Sequence, residues 1–164
     1  MRSDGNGPCA SRALLLNPLR ETEGTIVFEH ILVPVDFTEK NAVALDTAMQ
    51  LAQQYHGRIT LLHVIEPIEY EDDEIQAFYQ TLETKAWEKM KAMVESVDED
   101  EVPIKQQILF GRRAACIVEY TTTEQVDLVV LSSHKISFEQ PPKSWATLSY
   151  QMSILCPCPV LLLK

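Results

Sequence analysis

Residues 31–52 read ILVPVDFTEKNAVALDTAMQLA. The period changes halfway along. Ile31-Leu32-Val33-Pro34-Val35 is a continuous apolar run of strand length, as a strand covered on both faces requires. From about Glu39 to Tyr55 the apolar residues Ala44, Leu45, Ala48, Met49, Leu51 and Ala52 fall into one helical stripe. Asp36-Phe37-Thr38 joins the two, with Thr38 placed as the helix N-cap. Gly57 is read as the stop. A buried strand feeding directly into a helix is the first half of a βαβ unit, and it calls for a parallel neighbour.

Downstream the pattern recurs. Ile59 to Ile65 is a second strand. A long helix follows from about Asp73 to Ser96, with Ile75, Phe78, Tyr79, Leu82, Ala86, Met90, Met93 and Val97 at helical spacing. The acidic run Asp98-Glu99-Asp100-Glu101 breaks it. Ile104 to Phe110 is the third strand, and Gly111 turns the chain into a helix from about Ala114 to Thr123. Asp127 to Leu131 is the fourth strand, a helix spans about Trp145 to Leu155, and Val160 to Leu163 is the fifth strand. Strands alternating with helices predict an α/β fold: one parallel sheet with helices on both faces. Residues 1–24 are polar and aperiodic and are read as a flexible N-terminal tail, leaving 25–164 as the domain.

The bulk chemistry narrows the partners. A chain of 164 residues suits one domain with a full hydrophobic core. The net charge of −10 repels phosphate backbones and anionic lipid, so neither nucleic acid nor membrane is an expected partner. No apolar run approaches the ~18 residues of a membrane span, and Ala13 to Leu16 is too short for a signal-peptide core. Cys9, Cys116, Cys156 and Cys158 form no secreted disulfide pattern, so a reducing cytoplasm is the expected location.

In an open parallel sheet, ligands bind beyond the carboxyl ends of the strands, where strand order reverses. The residues to weigh are therefore Asp36 after strand one, His63-Val64 near the end of strand two, and Ser132-Ser133-His134 after strand four. Asp36 has two readings: a carboxylate accepting from a ribose hydroxyl or adenine amine, or a turn residue that helps to cap the helix. His63, on an apolar strand, reads as a core histidine bonded to backbone. Cys156-Pro157-Cys158 supplies half of a tetrahedral zinc site with no second pair at suitable spacing, and it reads as structure. Arg112-Arg113, at a helix N-terminus where cations are mildly unfavourable, read as a solvated turn. Cys116 reads as a buried helix cysteine, and Glu69 to Glu74 lacks the glycine of a calcium loop. Ser132-Ser133-His134 is not a nucleophile–base pair, since adjacency in sequence is not triad geometry.

Four stretches taken together, ILVPVDFTEKNAVALDTAMQLA, ITLLHVIE, DLVVLSSH and CPCPVLLLK, resemble the signature regions of the universal stress protein family, over about Phe28 to Lys164. The resemblance implies an adenine nucleotide alpha hydrolase-like fold, five parallel strands in the order 3-2-1-4-5, and a homodimer formed through the C-terminal edge strand. One branch of that family binds ATP and another does not. In the binding branch the positions matching Pro34, Val35, Asp36 and Val64 hold adenine and ribose. The phosphates rest on a glycine pattern after strand four: Gly, two residues, Gly, nine residues, Gly, then Ser or Thr. Here Ser132 and Lys135 stand at the first two glycine positions and Ala146 at the third, with the spacer one residue longer. Thr147 keeps the hydroxyl position, and Leu148 follows it.

Glycine allows positive φ and lets a phosphate reach main-chain N–H groups without meeting a Cβ. Ser132, Lys135 and Ala146 narrow that approach. Pro141 and Pro142 remove two N–H donors, and Ser144 is placed to cap the final helix. Lys135, Lys143 and His134 offer side-chain contacts in exchange. Two readings stay open: a non-enzymatic stress-response dimer with a degenerate phosphate loop, no certain cofactor and weak or no binding of ATP or AMP, and an ATP-binding sensor with at most slow hydrolysis.

Overall fold

The computed structural model describes residues 21–22, 25–67, 73–97, 102–133 and 147–164. A parallel sheet of five strands forms its centre: β1 (His30–Pro34), β2 (Arg58–Ile65), β3 (Ile104–Phe110), β4 (Leu128–Ser132) and β5 (Val160–Leu163). The order is β3-β2-β1-β4-β5, the predicted 3-2-1-4-5. Four helices connect the strands: α1 (Lys40–Tyr55), α2 (Asp73–Glu95), α3 (Arg113–Thr123) and α4 (Leu148–Leu155). Glu21–Thr22 also pairs antiparallel with Thr25–Ile26, so local pairing crosses the boundary drawn at residue 24 between tail and domain.

Each central strand alternates between two cores. Ile31, Val33 and Val35 pack with Ile59, Leu61, Leu128 and Val130 under α1 and α2. Leu32 packs with Leu62, Val64, Val129 and Leu131 under α3 and α4. Since successive side chains of a strand point to opposite faces, a continuous apolar run is what a sheet with helices on both sides demands. On α2 the buried residues are Ala86, Met90 and Val94, whereas Phe78 is half exposed. The apolar stripe read from sequence holds at Tyr79, Leu82, Ala86, Met90, Met93 and Val97, which are in or packed against the core; Val94 joins it and Phe78 does not.

The end of α1 differs from expectation in a useful way. The helix stops at Tyr55, and His56 takes the left-handed conformation (φ 53°). Gly57 does a different job: a Cβ there would press into the Phe28 carbonyl oxygen and come within 3.1 Å of the Glu29 carbonyl oxygen. Its missing side chain lets β2 start tight against the chain entering β1. Arg58 N–H then donates to Glu29 O at 2.8 Å.

Candidate functional site

The chain builds β1, steps outward to β2 and β3, then returns to add β4 and β5 on the other side of β1. The reversal lies between β1 and β4, and their carboxyl ends mark the switch point where such sheets take ligands. These two strands pair at Ile31–Leu128 and Leu32–Val129, whereas the β1–β2 ladder continues to Pro34–Leu62. Past Leu32 and Val129 the β1–β4 pairing ends, and the gap between these strand ends is the switch-point crevice where a ligand would be sought.

On the β1 side of the crevice, Pro34 closes the strand. The side chains of Val35 and Val64 are buried in opposite cores, so neither offers an open apolar face. Val35 is also fully bonded along its backbone. Its N–H donates to Leu62 O at 2.9 Å, and its carbonyl accepts from His63 Nδ1 at 2.8 Å. That bond puts the His63 proton on Nδ1 and leaves Nε2 as an acceptor. Burial, reinforced by Arg113 and Lys89, holds the half-buried His63 below its ordinary pKa against the pull of Val35 O and Asp36. The residue is thus a backbone-bonded histidine at the strand end.

Asp36 lies exposed just beyond β1. Its Oδ1 accepts from Thr38 N–H at 3.1 Å and from Thr38 Oγ1 at 2.7 Å, and its own N–H donates to Asn41 Oδ1 at 3.0 Å. Partial burial pushes the Asp36 carboxyl up, but the bonds from Thr38 and Asn41 outweigh it and hold the group below its usual value. Thr38 is not the N-cap. Glu39 holds that position without a side-chain cap bond, and the Thr38 hydroxyl is turned back onto Asp36. This carboxylate-closed turn carries Phe37 at φ 63°, a conformation costly for a bulky side chain. The Phe37 ring packs against the His63 ring at 4.4 Å, and Lys89 Nζ lies 5.3 Å from its centroid.

On the β4 side, Ser132 ends the strand opposite Leu163. Ser133 is buried, and its N–H donates to Leu163 O at 2.7 Å. Three hydroxyls then run in series: Ser133 Oγ donates to Ser149 Oγ, and Ser149 Oγ donates to Thr147 Oγ1, each at 3.4 Å. Thr147 Oγ1 also accepts from Tyr150 N–H at 3.4 Å, which makes Thr147 the N-cap of α4. Among the described residues the helix therefore starts at Leu148, with Thr147 as its cap. Leu148 itself packs on the α3–α4 core. His134, Lys135 and Ala146, with Pro141, Pro142, Lys143 and Ser144, lie outside the described residues.

The sequence-read positions thus divide into Pro34, Val35, Asp36 and Val64 on one side and Ser132, Ser133, Thr147 and Leu148 on the other. Sequence reasoning missed Ser149, which links the hydroxyls, and Asn41, the buried side chain that holds the Asp36 turn. Ser149 carries a readable signal: it falls in the first turn of a helix, two residues after a capping hydroxyl. Arg112 and Arg113 are both exposed, as the solvated-turn reading has it. Glu66 accepts from Arg113 N–H at 3.0 Å and pairs with its guanidinium at 3.7 Å, so a carboxylate caps α3. Cys116 is half-buried rather than buried, and burial raises its thiol pKa. Among the described residues no cluster of three or more His, Cys, Asp or Glu side chains is suited to a metal, and no helix is long and apolar enough to cross a membrane. Chemically, the crevice offers one acceptor carboxylate on its β1 side and a chain of hydroxyls on its β4 side.

The comparisons with known proteins agree with this architecture. The model of the universal stress protein family matches residues 28–164. The structure of universal stress protein UspA from Lactobacillus plantarum superposes with a TM-score of 0.69 at 21% identity, covering 85% of this chain and all 100% of that one. A universal stress protein family protein from Arabidopsis thaliana with AMP bound gives 0.60 at 17% identity, covering 82% and 90%. A universal stress protein in complex with cAMP gives 0.58 at 16%, covering 84% and 98%. At these identities the likeness shows the fold. No curated protein matches the chain by sequence.

Proposed function

The chain belongs to the universal stress protein family, and from that premise we propose that it is a non-enzymatic stress-response protein of the cytoplasm. It acts as a homodimer through protein contacts, with a degenerate phosphate loop and weak or no ATP binding. One observation carries this reading: the β4 side of the crevice is bonded to itself. The Ser133 N–H, the first main-chain donor past β4, is committed to Leu163 O at 2.7 Å, and the Thr147 hydroxyl is committed to the α4 cap. A phosphate held by main-chain N–H groups needs those donors unpaired and pointing at it. The sequence adds Ser132, Lys135 and Ala146 where the family pattern has glycine.

Dimerisation is supported by β5, the edge strand of the sheet among the described residues. Its four residues, Val160 to Leu163, are all apolar and all half exposed, and Ile154 and Leu155 on the adjoining α4 are exposed as well. An apolar sheet edge of this kind is stabilised by cover. Sedimentation at micromolar concentration is expected to give a dimer, and Leu161→Lys is expected to give a monomer.

The runner-up reading is an ATP-binding sensor with at most slow hydrolysis, favoured by the relatives of like fold that hold AMP and cAMP. Calorimetry with ATP and Mg²⁺ separates the two. Little or no heat with ATP, and at most weak binding of adenosine or AMP through Asp36, is the expected result. Converting Lys135 and Ala146 to glycine and shortening the spacer by one residue should then create binding. Stoichiometric ATP in the purified protein would sink the proposal.

A further inference from the structure

Three sulfur-bearing residues share one core where α4 ends. Cys156 Sγ donates to Met152 Sδ at 3.7 Å, and Cys156 and Cys158 both pack against the core that holds Met152. The backbone enforces the arrangement. Cys156 N–H donates to Met152 O at 3.1 Å, which stacks the two residues one helical turn apart. Cys156 leaves the helix in an extended conformation (φ −66°, ψ 132°), and Cys156 and Cys158 face the same core. Pro157 stiffens the step between the two thiols. Met152 is fully buried and closes the inner side, while Cys156 and Cys158 are half exposed.

We infer that Met152, Cys156 and Cys158 form a binding site for a soft monovalent metal ion of the copper(I) class, held by two thiolates and one thioether. The two cysteines alone make half a zinc site. The thioether changes the chemistry, because thiolate and thioether ligands together select soft ions such as copper(I), whereas structural zinc takes four nitrogen or strong thiolate donors. The spacing suits three sulfurs around one ion. With metal–thiolate bonds of about 2.3 Å, a trigonal arrangement puts the sulfurs about 4 Å apart, near the 3.7 Å already present between Met152 and Cys156. Binding is a ligand exchange. The ion replaces the two thiol protons, which leave to solvent through the exposed side; the metal keeps its +1 charge and no electron moves. The bound site carries one net negative charge. Because binding releases two thiol protons, the occupied site is favoured as pH rises. Sulfur-rich packing is the competing explanation, and it predicts no metal affinity.

The test uses the reduced full chain under anaerobic conditions, titrated against a coloured bicinchoninate complex of copper(I). One copper(I) withdrawn per chain is expected, with an X-ray absorption signature of sulfur ligands alone. Cys156→Ser and Cys158→Ser should each lose the stoichiometric withdrawal. Met152→Leu, which preserves volume, should weaken it, and the double variant Cys9→Ser/Cys116→Ser should keep it. The wild-type arm needs no variant to fold. Failure of the wild-type chain to withdraw copper, unchanged withdrawal after Cys156→Ser, or equal affinity for zinc(II) would each overturn the assignment.

Discussion

Truncating Asp127 should cost about 3 kcal/mol, although its side chain makes no contact with the crevice described above. One oxygen, Oδ2, accepts from His30 N–H at 2.9 Å and from Glu29 N–H at 3.1 Å. In return Asp127 N–H donates to His30 O at 2.9 Å. The clamp joins residues 97 apart in sequence, across two strands that share only two residue pairs. It thus fixes the register of β4 against β1, and with it the width of the crevice at the other end. A hydrogen bond to a charged group contributes roughly 1.5–3 kcal/mol net. His30 is buried, so its orphaned N–H bears the full loss, about 2 kcal/mol. Glu29 is exposed and water can replace the carboxylate there, for about 1 kcal/mol. Asp127→Ala should therefore lower the melting temperature by about 9 °C, at roughly 3 °C per kcal/mol for a chain of this length. Asp127→Asn keeps an acceptor oxygen in place and should cost about 1 kcal/mol. Urea unfolding followed by tryptophan fluorescence measures both, with exposed Asp46→Ala as control. The reasoning is refuted if Asp127→Ala lies within the scatter of that control, or if the asparagine variant loses as much as the alanine variant.

Three further outcomes follow from the same structure. His30 is buried, with Nδ1–H donating to Glu124 O at 3.1 Å and Nε2 accepting from Thr60 Oγ1 at 2.9 Å; burial, with Arg58 beside it, holds its pKa below the ordinary 6.5. The unfolded chain therefore takes up that proton first as pH falls, so His30's contribution is full above about pH 6.5 and is lost progressively below it. The stability difference between wild type and His30→Gln, from urea midpoints at pH 7.5 and 5.5, should shrink on acidification; a constant or growing difference would contradict this. Gly57→Ala drives a methyl group into the Phe28 and Glu29 carbonyls and should cost about 2 kcal/mol, read as a lower urea midpoint. His56→Gly relieves a left-handed conformation at an exposed helix end and should stabilise by about 1 kcal/mol; a loss of stability would show that His56 makes a contact that offsets its strain.

The fold was legible because strand-length apolar runs such as Leu128 to Leu131 and helical stripes such as Ala44, Leu45, Ala48 and Ala52 carry different periods. Periodicity reports burial, so it located every strand of the sheet to within a residue or so. It did not report which small polar side chain ends a helix. At Thr38 and Gly57 the residue type was right for a cap and the place was nearly right, yet the roles had moved. Asp36 captured the Thr38 hydroxyl, and Gly57 was needed for a close approach to Phe28 rather than for a left-handed turn. Both outcomes depend on a partner distant in space or on a competing local bond, and neither is encoded in the cap residue itself. The same limit hid Met152: as a helical apolar residue it reads as core, and only the end of α4 shows its sulfur beside Cys156.

The two sides of the crevice are built by different physics, and that difference bears on function more than any single substitution does. The β1 side is preorganised. Asn41 and Thr38 hold the Asp36 turn, Phe37 is kept in a strained backbone conformation, and His63 braces the Val35 carbonyl. Strain of this kind persists only where surrounding contacts over-determine it. The β4 side is satisfied from within, by Leu163 O and by the Ser133–Ser149–Thr147 hydroxyl chain. Binding an anion there would first break those bonds, an expense that a glycine loop with open N–H groups avoids. Two of those bonds are long, at 3.4 Å, and so are the weak members. The Ser133 N–H bond to Leu163 is short, and it also ties β4 to β5, the strand proposed to join two subunits. Opening that side would therefore loosen β5, so under the proposed function nucleotide binding and dimerisation would oppose each other.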